Sequence, residues 1–221
     1  MNVPSEHLLQ LKNELPAGVT LVAVSKFQPL QAILEAYGAG QRLLGESRAQ
    51  ELKSKQAQLP ADIQWHFIGH LQLNKVKLIA PYVALIQSID SYRLLEEVNR
   101  QAQKNGRIIA CLLQLHLARE ESKFGFTPQA CREMLASGRW KELTHIHLQG
   151  VMGMATNSED SELIRSEFCS LHNFFLQVKQ EFFPGDASFS ICSMGMSDDY
   201  PIAIAAGSNM VRIGSKIFGN R

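Results

Sequence analysis

Eight short apolar runs alternate with longer segments of helical periodicity, and this alternation constrains the fold more than any other feature of the sequence. Residues 20–26 form the first run and residues 210–213 the last. Parallel strands that follow one another have to be joined across a face of the sheet, and helices usually supply that connection. The runs are apolar on both faces, which is typical of a sheet covered by helices. The pattern therefore predicts an α/β fold with parallel strands.

Eight such units within 221 residues favour a closed (β/α)8 barrel, or TIM barrel, over an open doubly wound sheet. No linker or change of composition divides the chain, so we predict a single domain over residues 1–221. Only eight residues follow the last strand, so we expect no helix there. An additional N-terminal helix at residues 6–15 would cover the gap. The other six strands are predicted at residues 42–45, 65–68, 83–87, 108–115, 145–152 and 189–192.

Charge and composition exclude several classes of partner. The net charge of +1 does not favour nucleic acid or an anionic membrane surface. No apolar run approaches the roughly 20 residues that span a bilayer, and the N-terminus has no hydrophobic signal segment. The cysteines form no CxxC pair, so we expect reduced, buried thiols and a cytoplasmic location. They are Cys111, Cys131, Cys169 and Cys192.

Lys26 is the first candidate for chemistry, because the active site of such a barrel forms at the C-terminal ends of its strands. Val22, Val24 and Lys26 share one face of the first strand by its period of two. If the valines point inward, the Lys26 amine lies over the barrel mouth. Loss of hydration there lowers the pKa of the amine and makes it a nucleophile towards aldehydes. A lysine that simply reaches water from a strand end is the plainer alternative.

The last two strands supply a possible anion site beside this lysine. The segment SMGMS at 193–197 follows the seventh strand, and Gly214 and Ser215 follow the eighth. Glycines allow backbone N–H groups to approach a phosphate, and Ser197 is a candidate N-cap. Closure places the eighth strand beside the first, so a phosphate held there would lie next to Lys26. This combination predicts a phosphorylated aldehyde or ketone as ligand.

Other polar residues at strand ends have more than one interpretation. Glu46 and Arg48 could pair with each other or face the ligand. Gln114 and His116 could face the mouth, whereas Lys123 could equally be solvated.

Two histidine pairs do not predict a metal site. His66 and His70 are accompanied by no carboxylate or cysteine ligand, and Gly69 separates them. The segment HIH at 145–147 opens the sixth strand, so it belongs to the end of the barrel opposite Lys26, where residues serve stability.

Five segments in one order carry a resemblance to a known family. They are VAVSK at 22–26, GESR at 45–48, WHFIGHLQLNK at 65–75, SMGMS at 193–197 and VRIG at 211–214. Together they closely resemble the pyridoxal phosphate homeostasis protein family, from about residue 5 to the C-terminus. The resemblance implies a barrel like the N-terminal domain of alanine racemase, without the accessory β-domain. It also implies pyridoxal 5′-phosphate (PLP) as cofactor.

The resemblance also implies roles for particular residues. Lys26 would hold PLP as a Schiff base, and Arg212 would meet the pyridine nitrogen. The two serines of SMGMS and the backbone around Gly214 and Ser215 would hold the phosphate. The cofactor-binding residues so implied are Lys26, Met152, Ser193, Ser197, Arg212, Gly214 and Ser215.

The sequence departs from the family pattern in places. Ser47 stands where asparagine is common, Phe27 where threonine is common, and His116 in the region of a frequent asparagine. The segment GVMGMA at 150–155, which contains Met152, is itself a variant. These changes affect only the finer contacts around the ring.

The residues favour a protein that holds PLP over one that uses it in catalysis. PLP chemistry needs a protonated ring nitrogen and positioned acids and bases. Arg212 cannot accept a proton and, as a permanent cation, opposes protonation of the ring nitrogen. No tyrosine ends a strand where it could serve as a second base. The resemblance implies a role in PLP (vitamin B6) homeostasis. With it we expect a monomer without conventional turnover and PLP-dependent apoenzymes as possible recipients.

Two alternatives stay open at this point. The first is a PLP-dependent amino-acid racemase-like enzyme, since alanine racemase tolerates an arginine at the ring nitrogen. The second is a Schiff-base aldolase acting on a sugar phosphate.

Overall fold

The computed structural model describes residues 4–117 and 124–219. Its eight strands pair in parallel in their order along the chain, and the first also pairs with the last, so the sheet closes into a barrel. The strands are β1 Thr20–Val24, β2 Leu43–Glu46, β3 Gln64–Phe67, β4 Leu85–Ile89, β5 Ile109–His116, β6 Ile146–Met154, β7 Ile191–Ser193 and β8 Met210–Ile213. The predicted TIM barrel is confirmed.

Helices cover the outside of the barrel, and most of them connect consecutive strands. The α-helices of the described residues are α1 Pro4–Glu14, α2 Leu30–Gly38, α3 Ala49–Gln56, α4 Val76–Ile79, α5 Tyr92–Lys104, α6 Pro128–Ala136, α7 Ser161–Phe182, α8 Tyr200–Ala205 and α9 Ser215–Phe218. Short 3-10 helices occupy Leu73–Lys75 and Arg139–Glu142. None of these helices is long and apolar enough to cross a membrane.

Side-chain caps fix the starts of three of these helices. The Ser91 hydroxyl accepts a hydrogen bond from a backbone N–H in the first turn of α5, and the Thr127 hydroxyl does the same for α6. The Asp160 carboxylate accepts two such bonds at the start of α7. These caps satisfy N–H groups that the helix itself leaves unpaired. Pro128 stands in the first turn of α6, where a missing N–H is harmless.

The apolar core has two layers that follow the period of two along the strands. Inside the barrel, Val22 packs with a small cluster that includes Met152 and Met210. Outside, Leu21 and Ala23 of the same strand belong to the large cluster between strands and helices. Each fully buried aliphatic side chain contributes about 1.5–3 kcal/mol to the hydrophobic stabilisation. This alternation places Val22 on the inward face of β1, as the sequence predicts.

The expectation that no helix follows the eighth strand is wrong. Helix α9 begins directly after Gly214 and buries Ile217 completely. Helix α1 packs against α9, and a ring nitrogen of His7 lies 3.3 Å from the Ile217 carbonyl oxygen. Four residues are too few to show helical periodicity, so the sequence pattern does not reveal this element.

Candidate active site

The C-terminal mouth of the barrel contains a cavity of about 610 Å³. Five of the seven candidate residues line it. They are Lys26, Ser197, Arg212, Gly214 and Ser215. The other two are absent from its lining. Met152 and Ser193 are fully buried, Met152 within the interior apolar cluster and Ser193 beside Arg212. Five of the seven candidate residues thus meet at one cavity, whereas Ser193 lies in the barrel wall and Met152 in the barrel interior.

Lys26 lies in a tight turn immediately after β1. The turn spans residues 25–28 and is closed by a hydrogen bond of 3.0 Å from the Gln28 N–H to the Ser25 carbonyl. Phe27, at its third position, has φ of +63°, as a type II turn requires at that position. Glycine or asparagine usually occupies this position, and a bulky residue there is a strained exception. The chain therefore leaves the strand at Val24, and Lys26 enters the cavity lining from the turn.

Gly214 keeps the seam between β8 and β1 narrow at the cavity wall. A Cβ atom at this position would lie 3.1 Å from the Val24 carbonyl oxygen and 3.2 Å from the Val24 Cβ. The Gly214 N–H donates to the Ser197 hydroxyl at 3.3 Å, which joins the loop after β7 to the end of β8. The result is a small polar corner of the cavity, bounded by Ser197, Gly214 and Ser215.

Arg212 is buried in the barrel wall, with only 3% of its surface exposed. Its Nη1 donates to the Ser193 hydroxyl at 2.7 Å, and its Nη2 donates to the Gly153 carbonyl at 3.0 Å. The Ser193 hydroxyl in turn donates to Gln87 Oε1 at 2.7 Å. Gln87 Nε2 lies 3.0 Å from Nδ1 of His66. A chain of four side chains therefore runs from the cavity into the barrel interior.

The direction of these hydrogen bonds follows from the chemistry of the groups. A guanidinium has no acceptor, so the Ser193 oxygen has to accept from Arg212 and use its own proton towards Gln87. Burial lowers the pKa of Arg212 to about 10, against the opposing influence of the Asp199 carboxylate, so the guanidinium is charged at neutral pH. Burial lowers the pKa of His66 to about 4, so this ring is neutral and its Nδ1 can accept from Gln87.

Glu46 neither pairs with Arg48 nor faces the cavity, contrary to both interpretations of the sequence. Its carboxylate lies on the helix side of the barrel wall, 2.8 Å from Nζ of Lys55. The Arg48 guanidinium lies 4.5 Å above the ring of Phe27. Lys55 was missed because lysines on helices normally reach water. Its signals were the spacing of four from Glu51 and of three from the buried Leu52 on the same helix.

The loops after β3 and β5 form another part of the cavity wall. The His70 ring stacks on the Phe124 ring at 3.6 Å, and its Nδ1 lies 3.0 Å from Oδ2 of Asp90. Gln114 Nε2 donates to the Phe124 carbonyl at 2.7 Å. Lys123 lies outside the described residues. Within residues 4–117 and 124–219, no three His, Cys, Asp or Glu side chains come together as metal ligands.

Comparisons with known proteins identify the family. Residues 5–221 match the family described as alanine racemase, N-terminal domain. A pyridoxal phosphate homeostasis protein of Pasteurella multocida is 37% identical over 220 residues, which are 98% of this chain and 92% of that protein. This chain belongs to the pyridoxal phosphate homeostasis protein family. A protein of the same name from Haemophilus influenzae is 38% identical over 207 residues, 92% of this chain and 85% of that protein.

Solved structures of PipY from Synechococcus elongatus have the fold of this homeostasis-family chain. The structure without PLP has a TM-score of 0.91 at 35% identity and covers 97% of this chain and 99% of PipY. The structure with PLP bound has a TM-score of 0.88 at 34% identity and covers 98% and 100%. Because the homeostasis family shares its barrel with alanine racemase, the fold alone does not separate a homeostasis protein from an enzyme.

Proposed function

We propose that this protein holds PLP as a Schiff base on Lys26 and serves PLP homeostasis without conventional catalytic turnover. One observation carries the proposal: Lys26, Arg212 and the polar corner at Ser197 and Gly214 line the same cavity. A lysine amine, a fixed cation and a narrow corner with hydroxyl and amide groups suit an aldehyde, a pyridine ring and a phosphate. The homeostasis proteins among the relatives and the PLP-bound PipY structure support this assignment.

The corner at Gly214 suits a phosphate because it brings a hydroxyl and backbone groups to the cavity wall. A side chain at position 214 would press on the Val24 backbone, so the close approach of β8 to β1 at this corner depends on glycine. In our proposal the Ser197 hydroxyl and the backbone at Gly214 and Ser215 hold the phosphate. Ser193 does not bind the phosphate in this proposal, because its hydroxyl already accepts a hydrogen bond from Arg212 and donates one to Gln87.

Ser193 and Met152 would therefore act from the barrel wall and interior. Ser193 orients Arg212 through their hydrogen bond of 2.7 Å, and the fully buried Met152 packs in the barrel interior with Val22 and Met210. Arg212 would face the pyridine nitrogen. Bound PLP supplies an electrophilic aldehyde and a ring that withdraws electrons most strongly when its nitrogen is protonated. A buried guanidinium opposes that protonation, so Arg212 holds the cofactor in a less reactive form.

The set of available acids and bases favours binding over racemisation. Racemisation requires a second base on the opposite face of the ring, and no tyrosine of the described residues lines the cavity. Tyr37 instead donates to Asp62 on the outside of the barrel. The buried thiols are poor nucleophiles, because burial raises the pKa of Cys131 and Cys192 to about 12.

The cellular role follows from this chemistry as part of the same proposal. The chain would act as a single-domain monomer in the cytoplasm, where PLP-dependent apoenzymes are the recipients of its cofactor. Cys111, Cys131 and Cys192 are buried free thiols, whereas Cys169 is an exposed free thiol, so the expectation that all four are buried is wrong for Cys169, which lies on the outer face of α7. Free thiols agree with a reducing compartment.

The test is the visible absorbance of the protein after incubation with PLP. We expect a Schiff-base band that Lys26→Ala abolishes and that Lys53→Ala, a change of an exposed lysine, leaves intact. A band that survives Lys26→Ala would contradict the assignment. Sustained racemisation of an amino acid that depends on Lys26 would favour the racemase alternative. Trapping of Lys26 by borohydride only in the presence of a sugar phosphate would favour the aldolase.

A further inference from the structure

A buried cluster of charged side chains lies on the helix side of the barrel wall, next to the turn that carries Lys26. We propose that this cluster, Glu46, Glu51 and Lys55, positions Lys26 for its reaction with PLP. The inference rests on the proposed function, since it concerns the lysine that would hold the cofactor. No member of the cluster lines the cavity, so its members act through Lys26 and are positioning residues.

Lys55 is the centre of the cluster. Its Nζ donates to the Ser25 carbonyl at 2.6 Å, to Glu51 Oε1 at 2.7 Å and to Glu46 Oε1 at 2.8 Å. A lysine ammonium has three donors, and these three acceptors use all of them. Only 7% of the Lys55 side chain is exposed. The ammonium is therefore fixed in place and holds the Ser25 peptide group with it.

The cluster forms hydrogen bonds to the residues on both sides of Lys26. Before it, the Ser25 carbonyl accepts from Lys55, and the Ser25 hydroxyl donates to Glu46 Oε1 at 2.6 Å. After it, the Phe27 N–H donates to Glu51 Oε1 at 2.5 Å. The peptide groups that flank Lys26 are thus tied to one rigid set of side chains. This arrangement fixes the backbone of Lys26 and hence the direction in which its side chain leaves the turn.

The strained backbone at Phe27 explains why such an anchor is needed. Phe27 has φ of +63°, a conformation that bulky residues adopt only when their surroundings enforce it. Such strained residues are concentrated at functional sites. The bond between Glu51 and the Phe27 N–H acts directly on the strained residue. We therefore assign to Glu51 the task of holding the turn in the form that presents Lys26 to the cavity.

The ionic character of the cluster argues against a purely structural role. Ions buried together lose hydration, and well-packed apolar residues often stabilise a fold equally well. Among the described residues, Glu46 Oε2 is buried and has no hydrogen-bond partner, which makes the arrangement more unfavourable still. Apolar side chains, however, could not capture a carbonyl and an N–H. The need to hold these two backbone groups accounts for charged residues at this place.

The experiment compares PLP affinity in variants of Glu51, which is the most exposed member of the cluster. Glu51→Ala removes the anchor of the Phe27 N–H but leaves Lys55 paired with Glu46, so the fold should survive. We expect its PLP dissociation constant to rise about tenfold to a hundredfold, because the loss of a hydrogen bond to a charged group has effects of this size. Glu51→Gln keeps an acceptor oxygen and should bind nearly as the wild type does. Gln50→Ala, an exposed change on the same helix, is the matched control.

A second variant tests whether Glu51 acts by holding the strained backbone of Phe27. Phe27→Gly removes the conformational penalty at the turn, so adding it to Glu51→Ala should restore much of the lost affinity. A contribution of Glu51 to fold stability alone would not be rescued in this way. Equal losses of affinity in Glu51→Ala and Glu51→Gln, no loss in either, or no rescue by Phe27→Gly would overturn the inference.

Failure of the proposed function would give a different result from failure of the positioning cluster. In that case the wild-type protein would not form a borohydride-reducible bond to PLP at Lys26, and both proposals would fall together. A wild type that forms this bond, with Glu51→Ala binding PLP equally well, would overturn the positioning cluster alone.

Discussion

Arg212 and Ser193 lie on neighbouring strands and are joined by a hydrogen bond of 2.7 Å from Nη1 of the arginine to the serine hydroxyl. The same hydroxyl donates its proton to Gln87. Ser193 is therefore fully engaged inside the barrel wall. The orientation of the Arg212 side chain therefore depends on a series of hydrogen-bonded side chains. This series runs through Ser193 and Gln87 and ends at His66, on the far side of the barrel interior.

Ser193→Ala should weaken both the fold and the orientation of Arg212. The change leaves a buried guanidinium N–H and the Gln87 carbonyl oxygen without a partner, and such losses cost about 1–3 kcal/mol in the free energy of unfolding. Urea denaturation of the variant measures this loss. Ser190→Ala, which removes an exposed hydroxyl nearby, should change little. Equal stability of the two variants would contradict the engagement of Ser193.

Arg212→Glu should change the visible spectrum of the PLP-loaded protein. In the proposed complex, a carboxylate in place of the cation would favour protonation of the pyridine nitrogen, which Arg212 would oppose. The comparison is with Arg212→Gln, which removes the cation without adding a negative charge and should shift the spectrum less. An unchanged spectrum in Arg212→Glu would mean that this residue does not contact the ring.

Gly214→Ala should weaken PLP binding and destabilise the barrel by about 1–3 kcal/mol, the range for an overpacked site. The added methyl group would press on the Val24 backbone across the seam between β8 and β1, and backbone atoms yield less easily than side chains. PLP titration and thermal unfolding measure the two effects. Gly38→Ala is the control, because a Cβ there meets nothing within 4 Å. Unimpaired PLP binding in Gly214→Ala would argue against a phosphate at this corner.

Acid should destabilise the fold through His66. Burial lowers its pKa from 6.5 to about 4, so between these values the unfolded chain binds a proton that the folded protein excludes. The contribution of neutral His66 is therefore complete above pH 6.5 and is lost as the pH falls towards 4. The loss is about 3 kcal/mol, since each unit of pKa corresponds to about 1.4 kcal/mol. The difference in unfolding free energy between wild type and His66→Asn, measured at pH 7 and at pH 4.5, should narrow by most of this amount. A constant difference would contradict the account.

Features that depend on period and chain order could be predicted from the sequence. The alternation in β1 placed Val22 inside the barrel, and closure placed Gly214 beside the strand that leads to Lys26. Both follow from elementary geometry, because a parallel barrel has only one end at which its strands finish.

Features that depend on which polar groups meet in the interior could not be predicted. The fourth strand was expected at residues 83–87, yet it runs from Leu85 to Ile89, and the Gln87 side chain finds partners inside the barrel that the sequence does not reveal. Ser193 fits a phosphate ligand and an arginine partner equally well by sequence. Lys55 is buried only because two carboxylates and a carbonyl converge on it, which a helical pattern does not reveal.

The lysine to which PLP becomes attached is the most direct test of the role of Lys26. Wild-type protein would be incubated with PLP, reduced with borohydride and digested, and the modified peptide located by mass spectrometry. We predict a single major adduct on Lys26. An adduct on another lysine, with Lys26 unmodified, would contradict it.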